Sequence, residues 1–425
     1  MQSSSYFEFP PVPDTATLID ALMNDPPDIR WRWVRAMLRI EDAGQLQTLQ
    51  QALQKRMMER KEPLDRRVAL RVQMALHACQ RPVRVNGYAV VKGKGAFTTA
   101  ELEAAGEDPG KLDPVKPADG IYPVIDFHVH PKMPDLKFLS DMRKAGISHA
   151  VILATDTDPD NVDRPEIRER LREQYERSEK AGEAPFDRAL RTIRNGIYSR
   201  SHVTDQDVAD WVETYPDVFI GFGSVDLCKS DTYVREKLEK IESLKLRGIK
   251  LLPYSQFFNP AENGNMSLLF DFCKRTGAIV LTHTGCAAGA FELPELSQNS
   301  RPKLWEPVAR NYPEVPIVLA HFASYSTRQP GIWFEEALAL MKTCPNVYAD
   351  ISAAPFLLQD PQKVEKMRAA TGFKQVLFGT DYPGPLYHGI AVEGIVADIK
   401  ANTFLSDEEK RWVLGENGNR LLGVV

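Results

Sequence analysis

"YPVIDFHVHP", residues 122–131, ends an apolar run with two histidines one residue apart. A continuous apolar run of this length is expected to form a strand buried on both faces, as in parallel sheets covered by helices. Side chains two apart on a strand share a face. His128 and His130 are therefore expected to point the same way, with Asp126 beside them. What such a pair can do depends on whether the pattern recurs elsewhere in the chain.

It recurs seven times. "SHAVILAT", "DVFIGFGSV", "LRGIKLLP", "GAIVLTHT", "VPIVLAHF", "NVYADIS" and "KQVLFGTD" are short, β-type and mostly unbroken by polar residues. Helix-like segments such as "LKFLSDMRKAG", "YVREKLEKIESLKL" and "SLLFDFCKRTG" lie between them. Eight β/α alternations over roughly 300 residues predict a (β/α)₈ TIM barrel. A doubly wound sheet is the alternative, but eight uniform repeats favour closure.

The ends of these runs carry the chemistry. Strand four ends near Lys250, strand five at His283, strand six at His321 and strand eight at Asp381. The chain has eight histidines, and four of them (His128, His130, His283 and His321) fall at the C-terminal ends of predicted strands. In a closed barrel those ends meet around one mouth. Three or four imidazoles and a carboxylate suit zinc, with manganese or another transition metal as alternatives.

Outside the repeats the texture changes. Residues 1–118 read as a helical N-terminal extension ahead of a barrel domain over 119–425. "DIRWRWVRAMLRIEDAGQLQTLQQALQKRMMERK" is expected to be helix, broken near Gly44, with Trp33, Met37, Leu38 and Ile40 as its apolar stripe. "EPLDRRVALRVQMALHACQ" is a second helix, with Pro63 tolerated in its first turn. "PVRVNGYAVV" reads as a hairpin, because Asn86-Gly87 suits a type I′ turn. A second departure is an insertion after strand two, over 155–217. There Ile167, Leu171 and Tyr175 recur at helical spacing among nearly balanced charges. A solvated helix with intrahelical ion pairs is one reading. A lid is the other, since the segment leaves the face where barrel active sites lie.

Composition narrows the function classes. A net charge of −5 over 425 residues offers nothing to draw nucleic acid or an anionic membrane. No stretch reaches the roughly 18 apolar residues of a spanning helix. The five cysteines, Cys79, Cys228, Cys273, Cys286 and Cys344, are scattered and odd in number. They read as free thiols in a reducing compartment. With no basic, apolar leader in "MQSSSYFEFPPVPD", the expected location is the cytoplasm. The expected partner is a small, anionic molecule, and a homodimer is the prior for assembly.

The strand-end motifs "DFHVH", "GIKLLP", "LTHTG", "LAHFA" and "LFGTDYP" resemble those of the amidohydrolase superfamily of metal-dependent hydrolases. "LGENGNRLLG" resembles the C-terminal helix of its amidohydrolase-related branch, which includes hydrolases, lactonases and non-oxidative decarboxylases such as aminocarboxymuconate semialdehyde decarboxylase. The resemblance covers roughly residues 121–425. Ala323 departs from the glycine it leads one to expect, which is expected to narrow the pocket.

The resemblance implies metal ligands at His128, His130, His283 and Asp381. Asp381 would also act as the catalytic base. His321 would be a ligand in a two-metal site, or a catalytic proton carrier or polarising group in a one-metal site. Asp126 would orient a ligand or neighbouring backbone. Lys250 would either hold a substrate carboxylate or oxyanion as an amine, or bridge two metals as a carbamate. Tyr254, Gln256 and Asn259 follow strand four and are expected at the cavity wall. His388, Arg200 and His202 are further candidates for meeting substrate, with a solvated surface position as the plain alternative for each. His149 starts strand two, at the wrong end, and His77 and "KGKG" at 92–95 read as structural or linker. The expected function is metal-dependent hydrolysis of an amide, lactone or related carbonyl. Non-oxidative decarboxylation of a small carboxylic acid is the alternative. An inactive barrel serving as a scaffold, with Trp31 and Trp33 facing a partner, is the third reading.

Overall fold

All eight expected strands form, and they pair in sequence order. In a computed structural model, β1 (Val124–Val129), β2 (Ile147–Leu153), β3 (Phe219–Ser224), β4 (Gly248–Leu251), β5 (Ile279–Thr282), β6 (Ile317–Leu319), β7 (Val347–Asp350) and β8 (Val376–Leu377) make one parallel sheet. The structure describes residues 14–24, 43–59, 83–85, 88–90, 123–131, 136–178, 181–182, 184–200, 203–286, 294–326, 329–384 and 390–424. β1 meets β8 across the last seam. Phe127 N–H donates to Phe378 O at 2.8 Å, Asp381 N–H to His128 O at 2.8 Å, and His130 N–H to Tyr382 O at 2.7 Å. The chain is thus a (β/α)₈ barrel.

Its interior is filled by alternate residues of successive strands, including Ile125, Phe127, Val151, Leu153, Ile220, Phe222, Ile279, Leu281 and Val318. One irregularity in this alternation matters for the site. The pairing of β1 with β2 slips by one residue between Asp126 and Val129. Such a bulge re-aims side chains and increases local twist. Phe127 keeps its place in the core cluster, while its neighbour His128 also turns inward. Strict alternation, which put Asp126 beside His128 and His130, therefore does not hold across the slip.

The bottom of the barrel is closed by "LGENGNRLLG". Leu422 joins the interior cluster. Asn417 Nδ2 donates to Phe373 O and Val376 O at 2.7 Å each, tying the last helix (Asn417–Leu422) to the start of β8. Gly415 lies so close to Pro123 that a Cβ there would come within 1.8 Å of the proline carbonyl oxygen. That motif is a packing device at the end opposite the mouth.

After β1 comes α1 (Leu136–Ala145), and the insertion after β2 contributes α2 (Pro165–Glu176) and α3 (Phe186–Arg200). Its apolar stripe is not solvated. Ile167, Leu171 and Tyr175 pack with Ala189, Leu190 and Ile197, and also with Phe257 and Leu296 from the segments after β4 and β5. Arg170 donates to Phe257 O at 2.7 Å. Intrahelical pairs such as Arg177–Glu173 exist, but Arg168–Asp187 joins the two helices at 2.6 Å. The insertion is held against barrel loops by burial, and its return is sealed by Thr155 N–H donating to Val203 O.

Two compact units are distinguishable: residues 1–112 with 134–137, and 113–133 with 138–425. In the first, the helices Thr15–Asn24 and Ala43–Glu59 bury Leu18, Leu22, Leu46, Leu49 and Leu53. Val83–Val85 and Tyr88–Val90 pair antiparallel, with Val85 opposite Tyr88. The expected helix over 62–80, Asn86-Gly87, Trp31, Trp33, His77 and "KGKG" lie outside the described residues. Cys228, Cys273, Cys286 and Cys344 are free thiols, and no helix of the described residues is long and apolar enough to cross a membrane.

Candidate metal centre

The geometry is best read one imidazole nitrogen at a time. His128 is buried, and its Nδ1 lies 2.9 Å from Asp350 Oδ2 at the end of β7. Asp350 is an acceptor throughout. It also takes the Ser352 hydroxyl, the Ser352 amide at 3.0 Å and the His321 amide at 2.9 Å. His128 Nδ1 therefore carries the hydrogen, and Nε2 keeps a bare lone pair. His130 Nδ1 faces Leu153 O at 3.3 Å. A carbonyl can only accept, so His130 Nε2 is bare as well. The two Nε2 atoms are 3.2 Å apart, and Asp381 Oδ1 stands 3.5 Å from the first and 3.8 Å from the second.

A second pair repeats the arrangement. His321 Nδ1 is 3.0 Å from Ser352 O, and His283 Nε2 is 3.1 Å from Cys286 O. Both carbonyls again fix the hydrogen on the outward nitrogen. His321 Nε2 and His283 Nδ1 then face each other at 3.2 Å. The two pairs adjoin, with the His128 and His321 ring centroids 4.9 Å apart.

This donor set fits a divalent cation. Two hydrogen-free nitrogens 3.2 Å apart cannot hydrogen-bond to one another, and their lone pairs call for positive charge close by, of which Lys250 Nζ, 3.0 Å from His128 Nε2, supplies part. Three ligand atoms, from His128, His130 and Asp381, lie within 4.8 Å of one another. Imidazole and carboxylate are the ligands zinc and related ions prefer.

A second potential group, His128, His321 and Asp350, lies on the outward side of the rings. There the nitrogens bear hydrogens, and the Ser352 hydroxyl stands between them, 3.0 Å from His128 Nδ1 and 2.9 Å from His321 Nδ1. Hydrogen bonds already fill that position, which leaves His128, His130 and Asp381 as the group whose ligand atoms could hold a cation.

Lys250 supplies positive charge from β4. Its Nζ is 3.0 Å from His128 Nε2, and the residue is 1% exposed. Burial pulls its pKa down to about 8, against the pull of Asp350 and Asp381. Burial and then Lys250 hold His128 well below the usual histidine range. Burial likewise takes His130 and His321 down to about 3. These three imidazoles are accordingly neutral at physiological pH, the form that binds metal.

Two site residues adopt left-handed backbone. His321 has φ 61° and Asp381 φ 61°, conformations that cost non-glycine residues free energy and concentrate at functional sites. Ala323 has φ 52°, which explains why glycine suits its position. It is fully buried, and its amide donates to Thr284 Oγ1.

The remaining candidates divide. Asp126 accepts from His128 N–H at 3.1 Å, Thr380 N–H at 3.0 Å and Thr380 Oγ1 at 2.6 Å, clamping β1 to the segment that follows β8. Burial nevertheless pushes its pKa up to about 7. Tyr254 places its ring 4.5 Å from that of His283. Gln256 is fully buried and committed to backbone. Its Nε2 donates to Asp156 O and Val225 O, and its Oε1 accepts from Leu252 N–H. Asn259 Oδ1 accepts from Ala261 N–H in a turn. His149, at the start of β2, bonds Ser148 Oγ. The Arg200 side chain, His202 and His388 lie outside the described residues.

Three residues were not expected. Tyr325 sets its ring 5.2 Å from that of His321. Asp350 and Ser352 tie His128 to His321. The signal was present in "NVYADIS", where Asp350 and Ser352 end a strand at the same i, i+2 spacing as His128 and His130.

A family model described as "Amidohydrolase" matches residues 125–424. No curated protein matches the chain. Among solved structures, an uncharacterised TIM-barrel protein from Bordetella bronchiseptica aligns with TM-score 0.51 and 17% identity, over 71% of this chain and 98% of that one. A 5-carboxyvanillate decarboxylase from Sphingomonas paucimobilis gives 0.45 and 12%, over 72% and 100%. A probable 2-pyrone-4,6-dicarboxylic acid hydrolase from Acinetobacter baumannii gives 0.44 and 14%, over 71% and 99%. At these identities the likeness concerns the fold.

Proposed function

The chain belongs to the amidohydrolase family, and from that premise we propose that it is a divalent-metal-dependent enzyme hydrolysing an amide, lactone or related carbonyl of a small anionic molecule. The observation that carries this reading is the position of Asp381. Its carboxylate stands beside both bare Nε2 atoms of His128 and His130, yet its side chain keeps 23% of its exposure. It can thus touch a cation on one side and a water on the other.

Zinc is the ion the donors suit best, with manganese or another transition metal as alternatives. A cation held by His128, His130 and Asp381 would lower the proton affinity of a bound water and polarise a carbonyl. Asp381 takes the proton of the attacking water. His321 presents a hydrogen-free Nε2, so in its neutral form it serves as a ligand or proton acceptor and not as a donor to an oxyanion. Beside the cation, Lys250 is then the group left to stabilise the oxyanion, its ammonium donating from β4. With the amine in this role, the site holds one metal and Lys250 carries no carbamate.

Decarboxylation of a small carboxylic acid is the second reading, favoured by the same amine. A cation buried within 3.0 Å of His128 Nε2 can hold a carboxylate as well as an oxyanion. The experiment loads the stripped protein with zinc and offers lactones, cyclic amides and aromatic carboxylic acids, following ring opening and carbon dioxide in parallel. Ring opening lost about 10²–10⁴-fold in Asp381→Asn supports hydrolysis. Carbon dioxide release without ring opening selects decarboxylation, and turnover unaffected by Asp381→Asn overturns the role given to that residue.

A further inference from the structure

We infer that Asp350 and Ser352 are positioning residues that set the tautomers of His128 and His321 together, so that both rings turn a hydrogen-free Nε2 toward the cation. The inference rests on the proposed metal-dependent function and adds residues it does not use. Asp350 and Ser352 are both fully buried. Neither faces the position given to the cation. They lie behind the rings, on the Nδ1 side.

The hydrogens can be followed in order. His321 Nδ1–H points at Ser352 O and Oγ, at 3.0 and 2.9 Å. The Ser352 hydroxyl donates to Asp350 Oδ1. His128 Nδ1–H donates to Asp350 Oδ2 at 2.9 Å. Backbone amides of His321 and Ser352 hold Oδ1 from below, at 2.9 and 3.0 Å. Each hydrogen in this chain finds an acceptor, with His321 Nδ1–H shared between Ser352 O and Oγ and the Ser352 oxygen also 3.0 Å from His128 Nδ1. Reversing either ring would bring an acceptor nitrogen against Asp350 or a carbonyl, which the buried setting penalises. Because both rings lean on one Asp-x-Ser step where the chain leaves β7, a change there reaches a strand-one ligand and the strand-six histidine at once. Outer partners of this type typically alter metal affinity 10–100-fold.

Asp350→Asn tests this with little change of shape. The asparagine oxygen can keep the two backbone amides, which leaves its NH₂ facing His128 Nδ1. A donor there requires a bare Nδ1 and moves the hydrogen to Nε2, where it blocks the cation. Nitrogen-15 imidazole spectra of the metal-free full chain report the tautomers directly. Wild type is expected to show His128, His130 and His321 as Nδ1–H and His283 as Nε2–H, and Asp350→Asn to show His128 as Nε2–H. Zinc affinity by chelator competition is expected to fall 10–100-fold. Ser352→Ala is expected to weaken zinc binding several-fold, with Ser352→Thr restoring it, since only the hydroxyl is at issue. Should Asp350→Asn fail to fold, the wild-type spectrum and the two serine variants carry the test. An Nε2–H on His128 or His321 in wild type overturns the inference. So does zinc affinity that is unchanged in Ser352→Ala, or in a folded Asp350→Asn. If wild type binds no zinc at all, it is the functional reading that fails.

Discussion

Replacing Gly379 by alanine should damage the metal centre through packing alone. Gly379 follows β8 by two residues, and a Cβ there would stand 3.0 Å from the Cβ atoms of both His128 and Ser352. Ordinary contact begins near 3.4 Å, so each neighbour must yield by a few tenths of an ångström. Neither can do so cheaply. His128 is fixed by Asp350 and by its place in β1, and Ser352 by its bonds to Asp350 and His321. Overpacking of this kind costs about 1–3 kcal/mol, or roughly 2–4 °C of melting temperature per kcal/mol in a domain of this class. The functional effect should be the larger one. Metal ligands tolerate about 0.2 Å of displacement, and His128 Nε2 moves with its Cβ. Misplacement by about 1 Å costs on the order of 10²-fold in rate, so a shift of several tenths should cost about tenfold. Thermal unfolding, zinc competition and kcat on one preparation check this. If Gly379→Ala melts with wild type and binds zinc equally well, the close approach of Gly379 to His128 and Ser352 is wrong.

Other perturbations separate fold from site. Gly415→Ala drives a Cβ to 1.8 Å from Pro123 O, a contact with backbone that cannot rotate away, so about 3 kcal/mol or more of stability should be lost; a melting curve matching wild type contradicts it. Asp126→Ala leaves the Thr380 hydroxyl and two buried amides without their acceptor, which should cost about 3 kcal/mol or more by chemical denaturation. Asp226 gives a pH signature away from the metal. Burial and then the neighbouring Asp156 raise it from 3.8 to about 8, so the folded protein holds a proton that the unfolded chain has lost, and stability falls as pH rises between about 4 and 8. Asp226→Asn should flatten that decline in melting temperature between pH 5 and 8, and an unchanged slope counts against it.

Much of this architecture was legible because its causes are local. Eight apolar runs separated by amphipathic segments leave a parallel barrel as the simplest arrangement, and the barrel carries His128, His130, Lys250, His321 and Asp381 to one mouth. His283, distant in sequence, also arrives there, its Nδ1 3.2 Å from His321 Nε2. What escaped depends on tertiary detail. The one-residue slip in β1 has no signature in "VIDFHV", yet it lets Phe127 and His128 both turn inward. Gln256 looked like a wall residue because nothing nearby shows that three backbone groups would claim its amide. The insertion's apolar stripe is as compatible in sequence with a solvated helix as with a lid, and its burial shows only in the fold. Phe257 and Leu296, its partners, lie on other loops. Asp350 and Ser352 were overlooked because histidines drew attention to other strand ends, although the alternation that exposed the histidine pair applies equally to them.

On this reading one divalent cation sits among His128, His130 and Asp381. An anomalous difference map from zinc-loaded crystals, recorded at the zinc edge, tests it most directly. A single peak about 2.0–2.1 Å from the Nε2 atoms of both His128 and His130, with Asp381 in reach, is the predicted result. No peak, or a peak on the Nδ1 side beside Asp350, would contradict it.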